Sequence, residues 1–279
     1  MFNLIKMDLC RLFRSVSTYV MITLAAVFAV FAIFVTNYSL SQLKDEPTSV
    51  PENTEINPND FSLGFFSDTN PDLIKGDIDF TEMLGAQIKT KVLLLLVSVF
   101  VTLFVTSERK NGFIKNIAGQ FRNRGVMVMA KTVSVAIQTF ILLAVFAVFA
   151  FFSCIVIWGD RIVLNSIWEL MKMMGIQYSL HFAFACLIAF LCFLTNSSAL
   201  SMTIGILICS GFSSPVYYLI NQAIGKSFRI ERYMLEANIS YIGAGAASDT
   251  AVRAVVAATS FILVTMILSA LTVQKRDIK

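Results

Sequence analysis

One histidine, His181, and three neighbouring serines, Ser210, Ser213 and Ser214, are the side chains whose chemistry could be basic or nucleophilic. Serine hydrolysis needs the nucleophile held beside a base. No GxSxG turn surrounds these serines, and His181 lies in an apolar run. The expectation is therefore a neutral imidazole bonded to a neighbouring helix. The serines are expected to satisfy backbone groups around Pro215 and to aid close packing. Cys10, Cys154, Cys186, Cys192 and Cys209 have no histidine at metal-ligand spacing. They read as small hydrophobes of a membrane core, and no metal site is expected. Met171, Met173 and Met174 read as packing residues at lipid level. A GxxxxGK[ST] phosphate loop is absent, so this chain has no Walker site and no cofactor of its own is expected. Asp and Glu are missing from the central parts of the apolar runs. A charge there costs about 2.5–3.5 kcal/mol and is kept where a relay requires it. Its absence counts against a proton-coupled carrier and an aspartyl intramembrane protease.

The stretch 108–125 carries a different chemistry, that of docking. Phe113, Ile114, Ile117, Ala118 and Phe121 recur at helical spacing as an apolar stripe, while Lys115, Asn116, Arg122 and Asn123 fall on other faces. Gly112 and Gly125 punctuate its ends. A short amphipathic helix of this kind must bury its stripe against the membrane, the chain itself or a partner's groove.

The elements that position this stretch follow from composition. Of 279 residues 57% are hydrophobic and 14% charged, with a mean hydropathy of +0.74. A soluble domain has roughly 25% charged residues. Six apolar runs approach the roughly 20 residues that cross a bilayer as a helix: 16–37, 85–107, 126–158, 170–195, 199–221 and 253–273. Strands are not expected, since no run alternates with period two. The fold class is an all-α membrane protein, a single transmembrane domain over 1–279. Asp8 within the basic start, and an apolar run longer than a signal core, argue that the first helix is retained.

Basic residues set the expected orientation. Lys6, Arg11 and Arg14 precede the first span. Arg109, Lys110, Lys115, Arg122, Arg124 and Lys131 lie between the second and third, and Lys275, Arg276 and Lys279 follow the sixth. With six crossings all fall on one side, which the positive-inside bias makes cytoplasmic, with both termini. The opposite side receives the loop 39–84, with ten acids, two bases and four of the five prolines. A loop of this length is commonly functional or disordered, and its role stays open. Residues 1–14 read as an interfacial amphipathic helix, the alternative being an ordinary cytoplasmic cap on the first span. Phe2, Ile5, Leu9, Leu12 and Phe13 share its apolar face, and Asn3, Lys6, Arg11 and Arg14 the other. Ser213-Ser214-Pro215 can break a helix, and Arg229, Glu231, Arg232 and Glu236 place charge between the last two spans. A re-entrant segment or a plain loop over 222–252 both fit.

Taken in order, these features resemble the permeases of type-2 ATP-binding-cassette (ABC) exporters. They are the leading amphipathic helix, Glu108 at the end of the second span, Asn111-Gly112-Phe113-Ile114-Lys115-Asn116, then Arg122-Asn123-Arg124, Lys131, and the closing Gln274-Lys275-Arg276-Asp277-Ile278. The resemblance covers nearly the whole chain through diffuse motifs. It implies that 108–125 is a coupling helix docking into a separate ATPase subunit, which would carry ATP and Mg. Phe113, Ile117 and Phe121 would be its anchors, and Glu108, Arg109, Arg122 and Arg124 would tie it to its spans. Residues 1–14 would match the connecting helix, and about Pro215–Ala247 the re-entrant extracellular helices. A second permease copy, identical or paralogous, would complete the transporter in a bacterial plasma membrane. The implied cargo is hydrophobic or amphipathic, with export of amphipathic peptides (toxins or antimicrobials) the nearest match. Drug efflux, lipid-linked substrate export and a non-transporting sensor or scaffold are the alternatives. Nothing in the charge pattern points to nucleic acid.

Overall fold

A computed structural model describes residues 2–45, 77–110, 125–224 and 229–275, without the side chains of 42–45 and 108–110. Among these residues the chain forms ten α-helices and one pair of two-residue strands. The helices are α1 (Phe2–Arg14), α2 (Val16–Asp45), α3 (Phe80–Lys89), α4 (Val92–Lys110), α5 (Gly125–Trp158), α6 (Ile167–Thr195), α7 (Ser198–Cys209), α8 (Ser214–Ile224), α9 (Leu235–Tyr241) and α10 (Ser248–Lys275). Four of them are long and apolar enough to cross a membrane, and the count is six if two bent pairs, α3–α4 and α7–α8, each make one span. The chain is a multi-pass, all-α membrane protein.

Both bends have local causes, and both fall in runs that hydropathy alone reads as continuous, 85–107 and 199–221. At the first, Thr90 closes α3: its hydroxyl donates to the Gln87 carbonyl at 2.7 Å, and its N–H donates to the same oxygen at 3.2 Å. Lys91 then takes a left-handed φ of 61°, and α4 leaves at 54° to α3. At the second, Gly211 supplies a φ of 79° that a side chain would oppose. Pro215 sits in the first turn of α8, where its missing N–H costs nothing, and α8 leaves at 71° to α7.

The reading of 39–84 as one loop also changes at its ends. Residues 39–45 continue α2, and 80–84 belong to α3, which Asp79 caps by accepting from the Thr81 N–H at 2.9 Å. Ile78 and Asp79 pair in parallel with Ile162 and Val163, and Asn165 Nδ2 donates to Asp79 at 3.1 Å. This small ladder is the one departure from an all-helical chain among the described residues. Between α6 and α7, Asn196 adopts a left-handed cap and Ser197 accepts from the Leu200 N–H, which folds the two helices into a tight hairpin.

Small residues let the helices approach, as expected where lipid supplies no hydrophobic drive for helix association. Ala25, Ala29 and Ile33 of α2 are fully buried, and α2 runs along α5. Ala254 and Ala258 of α10 are fully buried, and α10 lies along α6. A Cβ on Gly205 of α7 would come within 1.9 Å of the Ser98 hydroxyl of α4. The outer faces are apolar and exposed, including Phe31 and Phe34 on α2, Phe152 on α5 and Leu263 on α10. Trp158 and Trp168, the two tryptophans of the chain, flank the α5–α6 connection, as residues of a membrane–water boundary do.

Candidate functional site

The site lies at the basic end of the bundle, where α1 meets the last turns of α4 and the first turns of α5. These two helix ends are the roots of the segment 111–124. The turn that delivers α1 is short. Ser15 joins it to α2, the Thr18 hydroxyl donates to the Leu12 carbonyl at 2.7 Å, and the Tyr19 hydroxyl donates to the Phe13 carbonyl at 2.8 Å. The last carbonyls of α1 are thereby satisfied by α2.

α1 has three faces. Leu4, Asp8 and Leu12 are buried, with Leu4 packed against Met127 and Ala130 of α5. Phe2 and Phe13 are exposed, at 88% and 47%, and Ile5 and Leu9 are half-buried. Asn3, Lys6, Cys10 and Arg14 are exposed on the remaining face. Two residues therefore move from the faces the sequence assigns. Leu12 belongs to the protein side rather than to the outward stripe. Arg11 turns into the junction rather than to the polar face, because the α4 backbone offers it acceptors.

Those acceptors sit on one turn of α4. Arg11 Nη2 donates to the Phe104 carbonyl at 3.1 Å and to the Ser107 hydroxyl oxygen at 2.8 Å. The Ser107 hydroxyl in turn donates to the Phe104 carbonyl at 2.8 Å. The Phe104 ring, stacked on Phe100 at 5.6 Å, takes two cations: the Arg11 guanidinium at 5.1 Å and the Lys131 ammonium of α5 at 5.5 Å. Cation–π contacts of this kind strengthen as the site is desolvated. Lys131 is buried, and so is Asp8 on the protein side of α1. One aromatic ring of α4 thus gathers cations from two other helices, α1 and α5.

Of the docking residues expected from sequence, Glu108 and Arg109 fall in the last turn of α4. Phe113, Ile117, Phe121, Arg122 and Arg124 lie outside the described residues. Sequence reasoning did not find Phe104, Ser107 or Asp8. The available signals were the i, i+4 pair Phe100–Phe104 and an isolated acid inside a basic segment.

A second polar group lies deeper in the bundle. His181 Nδ1 contacts the Gln177 carbonyl at 2.7 Å, one turn back in its own helix, rather than a neighbouring helix. The geometry makes Nδ1 the protonated nitrogen. Gln177 Nε2 donates to the Ile239 and Ile242 carbonyls at 3.1 and 2.8 Å and so holds the α9 segment against α6. Ser213, expected to serve the backbone near Pro215, instead donates its hydroxyl to the buried Glu236 carboxylate of α9. The other Glu236 oxygen has no partner among the described residues. Cys154, Cys186, Cys192 and Cys209 are buried, and Cys10 is exposed on α1. No group of three His, Cys, Asp or Glu side chains converges among the described residues. No protein-family model matches the chain, and no curated protein matches it.

Proposed function

We propose that this chain is the permease subunit of an ATP-driven exporter of the ABC type. Segment 108–125 is the coupling helix that docks into a separate ATPase, which binds ATP and Mg. The observation that supports the reading is the junction of Arg11, Phe104, Ser107 and Lys131, which braces both roots of that segment against one amphipathic helix. A docking segment transmits force only if its roots are tied to the spans. Here they are tied by a charge-assisted hydrogen-bond pair and a shared ring. The chain works as one of two permease copies in a bacterial plasma membrane, with termini and coupling helix cytoplasmic and residues 39–84 outside. The cargo class is hydrophobic or amphipathic, best met by an amphipathic peptide, in keeping with six apolar spans that lack acids at their centres.

The test is the double variant Phe113→Asp, Phe121→Asp in the full chain. The expected result is normal insertion in the membrane together with loss of the bound ATPase from a gentle purification. Retention of the ATPase by this variant contradicts the docking role. A sensor or scaffold would keep its extracellular binding in the same variant.

A further inference from the structure

Two faces of α1 are accounted for by packing and by the outward stripe, and the third is not. Asn3, Lys6, Cys10 and Arg14 are exposed along it, and with Met7 and Arg11 they line an open trough of about 540 Å³. Lys6, Cys10 and Arg14 are spaced by four, so they form one row with the two cations about 12 Å apart along the axis. Among the described residues no acid lines this trough. The single acid of α1 is Asp8, buried at 3% exposure on the far side. The row borders the apolar stripe directly, since Lys6 follows Phe2 by one helical turn and precedes Phe13 by two.

Depth then selects the ligand. A helix lying in the membrane plane buries its apolar face about 5–10 Å into the boundary between headgroups and acyl chains. The row beside that face is carried at the level of the phosphates, and the long stems of Lys6 and Arg14 extend to it. We propose that this row is a binding site for the phosphate group of anionic phospholipids, with Lys6 and Arg14 supplying charge and Asn3 a further hydrogen-bond donor. The site rests on the reading of α1 as an interfacial helix. Its consequence is local. An anionic leaflet holds α1 down, and α1 through Arg11 holds the end of α4 that carries the docking segment.

Full-length chain in lipid discs of phosphatidylcholine, with and without phosphatidylglycerol, gives the test. Two quantities are read: the ratio of the two lipids retained on purification, and the immersion depth of a nitroxide at Phe13→Cys in a Cys10→Ser background. The natural chain is expected to enrich phosphatidylglycerol. Lys6→Gln with Arg14→Gln lowers that enrichment roughly fivefold per charge removed, Lys6→Arg with Arg14→Lys preserves it, and the nitroxide stays immersed throughout. Unchanged enrichment in the Gln variant with an immersed nitroxide overturns the phosphate site and leaves the interfacial helix standing. A nitroxide in water in every disc overturns both. Inorganic phosphate that protects Cys10 from a neutral thiol reagent in phosphatidylcholine discs, with no enrichment of the anionic lipid, assigns the row to a soluble anion and overturns the lipid proposal.

Discussion

Arg11 holds three groups at once: the Phe104 carbonyl, the Ser107 hydroxyl and the face of the Phe104 ring. Hydrogen bonds made by a charged donor contribute about 1.5–3 kcal/mol each. Arg11→Ala is therefore expected to destabilise the chain by about 2 kcal/mol or more, read as a lower Tm in detergent. Arg11→Lys recovers only part of this, because an ammonium can serve the two acceptors that Nη2 bonds but lacks the planar guanidinium that lies over the Phe104 ring. Equal Tm values for all three chains would contradict the junction. Ser213 offers a second test at this scale. Its hydroxyl meets the buried carboxyl group of Glu236, and removing it leaves that group with Tyr217 as its remaining side-chain donor. Ser213→Ala should cost about 1–3 kcal/mol, while Ser213→Ala combined with Glu236→Leu should cost less than the single change, since no buried carboxyl group is left short of a partner. His181 belongs to the same scale and carries the opposite lesson. Its ring is fully buried and tied to its own helix, so its role is in packing α6.

Helix contacts decide the next scale. Gly205 has no Cβ because the Ser98 hydroxyl occupies that place at 1.9 Å. Gly205→Ala forces the Ser98 hydroxyl to turn away and crowds Ile188, whose Cδ1 lies at 3.1 Å, at an expected cost of about 1–3 kcal/mol. Ser98→Ala in the same chain should recover part of it, since the 1.9 Å contact goes while Ile188 Cδ1 at 3.1 Å and the Ser98 methyl at 3.2 Å remain tight. A double-mutant cycle on Tm measures the coupling, and additive effects would contradict the close contact. Four long spans are legible in the sequence, because run length and hydropathy respond to bilayer thickness alone, while the runs 85–107 and 199–221 are bent pairs that raise the count to six only if each pair crosses as one. The bend between α7 and α8 is partly legible from Ser213-Ser214-Pro215. The bend at Thr90–Lys91 is not, because neither residue is a helix breaker and the left-handed Lys91 follows from how α3 caps itself on Gln87. The junction is also hidden from sequence. Arg11 meets Phe104 and Ser107 across separations of 93 and 96 residues, and a period counted within one helix cannot see a partner that far along the chain. The same blindness misplaces Leu12 and Arg11 by one face each, since an amphipathic pattern distinguishes apolar from polar but not lipid from protein.

At the scale of the whole molecule, the chain is built as a membrane bundle with two unlike ends. One end is basic and gathers α1 and the roots of 111–124. The other carries both tryptophans, the short ladder and the folded-back α8–α9 segment, which Gln177 and Ser213 hold in place. Under the proposed function energy would enter at the first end, from a separate ATPase, since this chain has no phosphate loop with which to capture it. The central claim is therefore about a partner. The most direct measurement is purification of the tagged full chain from its native membrane, with the bound proteins identified and their ATP hydrolysis assayed. The account predicts that a soluble protein bearing a phosphate loop co-purifies, hydrolyses ATP and crosslinks to the segment Phe113–Phe121. A chain that emerges alone under gentle detergent, with no ATPase recovered by crosslinking at that segment, would contradict it.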